Sequence, residues 1–275
     1  MNMIFGIIKK MMPEVMKNYF KKKRLLLSKR WMPEYSRCAY SQEGEDLVIA
    51  RLLETDLDKR AGFYVDIGAH HPKKHSNTQY FYERGWIGLN VDASEEGIRQ
   101  FKLERENDIN ILTGVGESDG SMIFYEFNIP ALNSFDKELS ETRAEASDCK
   151  IINKKLVPIR TIKSILEEHL PPDTQIDFMS IDVEGLDLEV IRSNDWGKFR
   201  PLLVLVEDGN SQSINEARLG DIAEFMASKG YEFVSKTALT LFFKDKNNRR
   251  FLKKFRNYMN CFIQICLAPP ILSHV

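Results

Sequence analysis

The chain has 275 residues, 43% hydrophobic and 29% charged, the make-up of one large soluble α/β domain with decorations or of two small ones. Its net charge of −1 hides two basic ends, +8 over residues 1–31 and +6 over 244–275, around a middle of −15, which argues against a nucleic-acid binder acting through its core. No run approaches the ~20 apolar residues of a membrane span, no Cys/His spacing suits zinc, and Cys38, Cys149, Cys261 and Cys266 read as free thiols of a reducing cytoplasm.

Residues 1–31 read as a basic amphipathic helix, or two halves split before Pro13. The lysines at Lys9 and Lys10 break its apolar stretch and no cleavage-like site follows, so it is not read as a secretory signal. The main domain is placed at 32–243. It opens on a helix over 41–54, with Ser41 as N-cap and Glu43, Glu45 and Asp46 in the first turns. A strand at 63–67, a helix around 76–84, a strand at 87–91, a helix at 94–105 and a strand at 109–115 follow. After an Asp119-Gly120 turn comes a sheet-like run, 121–127. Residues 129–150 are polar and poorly periodic, a predicted loop or lid that includes Asn133 and Ser134. A short strand at 157–160 leads to a helix capped by Thr161 and stopped by Pro171-Pro172. Then come a strand at 176–181, a helix at 185–193, a strand at 202–206, a helix over 214–229, and closing strands at 231–235 and 239–243. The tail 244–275 is basic and then apolar.

Alternating strands and helices predict a mostly parallel central sheet with helices on both faces, and the last two strands an antiparallel edge hairpin. Four apolar runs end in acids: Asp66, Asp92, Asp182 and Glu207. Ligands of an open parallel sheet bind at the carboxyl ends of its strands, so these acids are expected on one rim. The plainer reading is that they cap the helices that follow. The loop after Asp66 is not a dinucleotide fingerprint, because His70 and Lys73 stand where glycines are needed after Gly68. A nucleoside without a pyrophosphate, such as S-adenosylmethionine, needs only one close backbone approach. Asp66 would steer its ammonium group and Asp92 would hold the ribose hydroxyls.

From about Ser41 to Glu207, three-fifths of the chain, the sequence resembles the FkbM-type family of S-adenosylmethionine-dependent methyltransferases. The matching pieces are Ser41-Gln42-Glu43-Gly44-Glu45-Asp46, Val65-Asp66-Ile67-Gly68-Ala69, Ser76-Asn77-Thr78, Val91-Asp92-Ala93, and Ile181-Asp182-Val183-Glu184-Gly185 with Val206-Glu207. The family's Asn and second Gly are here His70 and Pro72. The chain is thus similar to a subgroup with a His-His-Pro turn, then Ser-Asn-Thr and a run like Phe81-Tyr82-Glu83-Arg84-Gly85-Trp86. The resemblance implies a Rossmann-like methyltransferase fold. It implies that Asp66, Gly68 and Ala69 line the methionine end of the cofactor, and that Gln42 and Glu45 close over it. Asp92 would hold the ribose, Val115 and Gly116 would flank the adenine with Glu117 nearby, and Asp182 and Glu184 would face the acceptor.

The implied reaction is O-methylation, with a hydroxyl of a sugar or glycoconjugate as acceptor; a non-sugar acceptor and a non-catalytic scaffold are the rival readings. His70, His71, Asp182 and Glu184 are the candidates to take the hydroxyl proton. The alternative is a divalent cation such as Mg²⁺ on Asp182, Glu184 and Glu207. The basic ends invite contact with an anionic membrane surface, placing the protein in the cytoplasm or at the inner face of the membrane. His75 and His169 read as surface residues, and the oligomeric state is left open.

Overall fold

A computed structural model describes residues 37–53, 61–146 and 148–247. The predicted segment 1–31 and nearly all of the tail 244–275 lie outside the described residues. The elements are α1 (Glu45–Leu52), β1 (Phe63–Ile67), α2 (Gln79–Tyr82), β2 (Ile87–Asp92), α3 (Glu95–Glu104), β3 (Ile109–Leu112), β4 (Gly114–Val115) and β5 (Gly120–Phe127). A 3-10 turn (Pro130–Leu132) precedes α4 (Lys137–Ala146), β6 (Ile151–Arg160), α5 (Ile162–His169), β7 (Phe178–Ile181), α6 (Asp187–Arg192), β8 (Leu203–Glu207), α7 (Ile214–Leu219), α8 (Asp221–Ser228), β9 (Tyr231–Lys236) and β10 (Thr240–Asp245).

Seven strands form one sheet in the order β3-β2-β1-β7-β8-β10-β9. The first five run parallel, and β10 returns antiparallel against β8 with β9 as the edge partner. Parallel strands covered on both faces must bury consecutive side chains, which explains the unbroken apolar runs at 63–67 and 203–206. Phe63, Val65 and Ile67 point into a core made with α5, α6, α7 and α8. Tyr64 points the other way, into a core of Ile49, Phe81, Trp86 and Phe178 built with α1 and α2. Helices therefore cover both faces.

Three expectations need correction. The run 109–115 is not one strand. It leaves the main sheet at Thr113, and β4 pairs instead with β6 in a second sheet, β4-β6-β5. Residues 129–150 are not plain loop, since they hold the 3-10 turn and α4, and β6 begins at Ile151 rather than 157. The helix expected over 214–229 is two helices parted at Gly220, whose backbone is extended. The second sheet packs Phe124, Val157 and Ile159, together with Phe135 from the segment before α4, onto Ala93, with Leu186 beside them. Ala93 and Leu186 follow β2 and β7, so this sheet roofs the carboxyl end of the main one.

Candidate active site

Strand order reverses between β1 and β7, and Gly68 crosses that switch point with φ of 80°. Its amide and that of Ala69 both donate to the Val91 carbonyl, at 2.9 and 3.0 Å. A Cβ on Gly68 would collide with the backbone carbonyl of Asp182. The glycine is thus required by its conformation and by the approach of the β7 end.

The cleft above this crossing encloses about 1210 Å³, its open mouth included. It is lined by Gln42 and Glu45 at the start of α1, by Asp66, Gly68, Ala69 and His70 at the end of β1, and by Asp92 and Val115. Asp182, Glu184 and Glu207 line the other side. The fold therefore gathers most of the residues singled out in the sequence.

Asp66 is buried and accepts the Thr78 hydroxyl at 3.1 Å. Burial pushes its carboxyl up to about 6, against the opposing pull of Arg105 and Thr78. Asp92 is half-buried. One of its oxygens accepts the His70 amide at 2.8 Å and the other the Ser94 amide at 2.7 Å. It ties the His-His-Pro turn to the start of α3 while still facing the cleft. Replacing Asp92 by alanine should weaken nucleoside-cofactor affinity about ten- to a hundredfold, the worth of one or two hydrogen bonds to a charged group. Titration calorimetry checks this, and unchanged affinity would remove Asp92 from the ribose position.

The turn after β7 carries the densest charge. Asp187 shapes it, its two oxygens accepting the amides of Val183 at 3.1 Å and Gly185 at 3.2 Å. Glu184 has a left-handed backbone, φ 56°, and its carboxylate pairs with Arg143 of α4 at 2.6 Å. The Ser134 hydroxyl donates to the Glu184 carbonyl at 2.7 Å, so the 129–146 segment clasps this turn from above. Oxygens of Asp182, Glu184 and Glu207 lie within 4.8 Å of one another. Burial and this crowding push Asp182 well above the carboxylate range, Glu184 upward, and Asp187 up to about 8. A rim of this kind is short of positive charge.

His70 is half-buried in the cleft wall with φ of 52°. Burial, aided by His71, Lys74 and His75, holds it down to about 4, so it is neutral near pH 7. His71 does not line the cleft. Its Nδ1 accepts the amides of Lys73 and Lys74 at 2.9 and 3.0 Å, which makes it a turn-former and not a base. Gly116 and Glu117 also lie outside the lining, because the chain has turned into the second sheet there. Phe124 and Phe135, with ring centroids 4.7 Å apart, form the apolar wall beside Val115 in their place. Sequence reasoning missed both, since they come from the second sheet and from the segment read as loop. It also placed His75 at the surface without seeing that it borders the cleft. Ser41 does accept the Asp46 amide at 3.3 Å, but the residue at the N-cap of α1 is Gly44. The start of α1 is tied to the β9–β10 turn: Leu239 donates its amide to Glu43 at 3.0 Å, and Thr237 its hydroxyl to Glu45 at 3.2 Å.

A parallel sheet reversing at β1 and β7, closed by an antiparallel β10, with an acid-lined cleft at the reversal, defines a Rossmann-like methyltransferase domain. The family model of the methyltransferase FkbM domain matches residues 66–233, and the chain belongs to this family of S-adenosylmethionine-dependent methyltransferases. No curated protein matches the chain. Among solved structures it is similar to the FkbM methyltransferase of Methylobacillus flagellatus, at 13% identity and a TM-score of 0.41, covering 66% of this chain and 43% of that one. The chain thus spans less than half of that protein. It is also similar to a TehB-like SAM-dependent methyltransferase of Corynebacterium glutamicum, at 12% identity and a TM-score of 0.34, covering 84% of this chain and 97% of that one. The N-terminal domain of human METTL16 in complex with SAH is a third, at 12% identity and a TM-score of 0.38, covering 78% of this chain and 74% of that one.

Proposed function

We propose that the protein transfers a methyl group from S-adenosylmethionine to a hydroxyl of a sugar or glycoconjugate. The observation that carries the cofactor half is the sign of the cleft: carboxylates end four neighbouring strands, and among the described residues no lysine or arginine lines it. Such a cleft repels a pyrophosphate and suits a ligand with an ammonium and a sulfonium. The shape agrees. Gly68 lines the cleft without a side chain, Asp92 offers acceptors, and Ala93, Val115, Phe124 and Phe135 offer an apolar slot for a flat base. Asp66 would take the ammonium end and Asp92 the ribose. The cofactor, when bound, supplies an electrophilic methyl group.

The protein's own tasks are alignment and proton removal. Asp182 is raised well above the ordinary carboxylate range by its enclosure in the cleft and by Glu207 beside it. A carboxylate poised nearer neutrality is a better match for a sugar hydroxyl than one at its ordinary value. Neutral His70, across the cleft, is placed to orient that hydroxyl. The same carboxylates accept hydrogen bonds from the neighbouring hydroxyls of a sugar, which is the support for that acceptor class. A second reading is favoured by the 4.8 Å cluster: a divalent cation on Asp182, Glu184 and Glu207. It would compete with Arg143 for Glu184. Contact of the basic ends with anionic lipid belongs to the same proposal and rests on sequence charge alone. Among the described residues no helix is long and apolar enough to cross a membrane.

Titration calorimetry with S-adenosylhomocysteine, with NAD as control, tests the cofactor. Saturable binding of the first alone is expected, and binding of NAD alone would overturn the reading. A panel of sugar acceptors, run with Mg²⁺ and with a chelator, then tests the acceptor and the cation reading together.

A further inference from the structure

The Ser76-Asn77-Thr78 motif has no role in the reaction as described, yet it lies beneath Asp66. Arg105, just past the end of α3, is fully buried. Its Nη1 donates to the Thr78 hydroxyl at 2.7 Å and to the Tyr64 hydroxyl at 3.3 Å. Its Nη2 donates to the Ser76 hydroxyl at 2.9 Å and to the Pro72 carbonyl, which closes the His-His-Pro turn. The rings of Phe101 and Tyr82 flank the guanidinium at 5.1 and 5.3 Å. Asp108 balances its charge at 3.7 Å and is itself held by Tyr64, Asn90 and the Gly88 amide.

The chemistry of the donors fixes the direction of this chain of bonds. Arginine only donates and an ionised carboxylate only accepts. The Thr78 oxygen therefore receives Arg105. Ser76 Oγ also lies 3.2 Å from it, but Ser76 already accepts from Arg105 and from the Gln79 amide and so donates its own hydrogen to Thr78, which leaves the Thr78 hydrogen to Asp66 Oδ2. Asp66 itself lines the cleft. Although Thr78 stands at the N-cap of α2, its hydroxyl makes no capping bond. Asn77 extends the same scaffold sideways, donating to the Ser180 hydroxyl on β7 at 2.9 Å.

We infer that Thr78 and Arg105 are positioning residues that hold the Asp66 carboxylate in one orientation, aimed into the cleft to receive the cationic end of the cofactor. The inference rests on the proposed cofactor reading. The charged groups acting on Asp66 are Arg105 and Asp108 beyond α3 and Asp92 on β2, and Asp182 after β7 lines the same cleft. Asp66 must be ionised to take an ammonium, so affinity is lost as pH falls through its folded value. Removing a hydrogen bond to the ionised form moves that loss to higher pH.

The test is calorimetry of the full chain with S-adenosylhomocysteine from about pH 5.5 to 8, for the wild type, Thr78→Val and Thr78→Ser, with a thermal melt of each. Thr78→Val should bind roughly ten- to a hundredfold more weakly at pH 7, with its loss of affinity displaced to higher pH. Thr78→Ser, which keeps the hydroxyl, should restore both. Wild-type affinity and pH profile in Thr78→Val would overturn the inference, and equal weakening in both variants would assign the effect to lost packing and overturn it too. A wild type that binds at no pH would overturn the cofactor reading and this inference with it, whereas unchanged binding in Thr78→Val overturns this inference alone. Arg105→Lys keeps the charge but loses the two-pronged fork. It should follow Thr78→Val, and wild-type behaviour in it would count against the fork.

Discussion

Replacing Asp182 by alanine is expected to cut methyl transfer by roughly two to four orders of magnitude, the usual worth of a positioned acid or base, while affinity for S-adenosylhomocysteine changes less than tenfold. The split follows from where Asp182 sits. Its backbone carbonyl is the wall that Gly68 passes, and its amide donates to the Ile67 carbonyl at 3.0 Å, so the main chain shapes the cofactor side whatever the side chain is. The carboxyl lies with those of Glu207 and Glu184 instead, on the side proposed for the acceptor. Deleting it also relieves crowding, while Glu184, raised by burial and by Glu207, keeps its neighbours. Initial rates at saturating cofactor, with calorimetry on the same preparation, check both halves. Near-normal turnover would remove Asp182 from the reacting centre. Equal loss of turnover and affinity would mean that its carboxyl serves the cofactor.

The second large effect is on Gly68. An alanine there must adopt φ near 80°, which costs an L-residue about 1–2 kcal/mol. Its methyl must also displace the Asp182 carbonyl, which belongs to the main chain at the β1–β7 junction and cannot swing aside as a flexible side chain would. Overpacking of a tight site costs a further ~1–3 kcal/mol. Gly68→Ala should therefore lower the melting temperature by several degrees and abolish measurable S-adenosylhomocysteine binding. Gly120→Ala is the matched control, since a methyl there meets nothing within 4 Å. A Gly68→Ala protein with normal melting and binding would show that this crossing tolerates a side chain, and that the close approach plays no part in ligand binding.

The residues show why some of this was legible and some was not. Phe63–Ile67 and Leu203–Glu207 read correctly as strands because burial on both faces leaves a continuous apolar run that no surface element shares. Asp66, Asp92, Asp182 and Glu207 could be placed on one rim because a parallel sheet brings all its strand ends to the same edge. The run 109–115 misled because nothing local marks Thr113 as a break. The chain leaves there because β6, forty residues later, offers a better partner for Gly114 and Val115. Helix α4 was invisible because it is polar on nearly every side and has no apolar stripe to count. His71 resembled a base, and only the fold shows its Nδ1 committed to two backbone amides.

The sequence alone determined the alternating architecture, the acid-tipped strands, and a loop after β1 with one glycine and no dinucleotide fingerprint. These are local properties: periodicity, residue type at a strand end, and the backbone freedom of glycine. Only the tertiary structure decided that the second sheet roofs the cleft with Phe124 and Phe135, that Arg143 reaches Glu184, and that Arg105 is buried beneath Asp66. The physical reason is that burial and pairing depend on partners far away in sequence. An arginine in a sequence is read as solvated until the fold surrounds it with donors' counterparts, here Thr78, Ser76, the Pro72 carbonyl and Asp108.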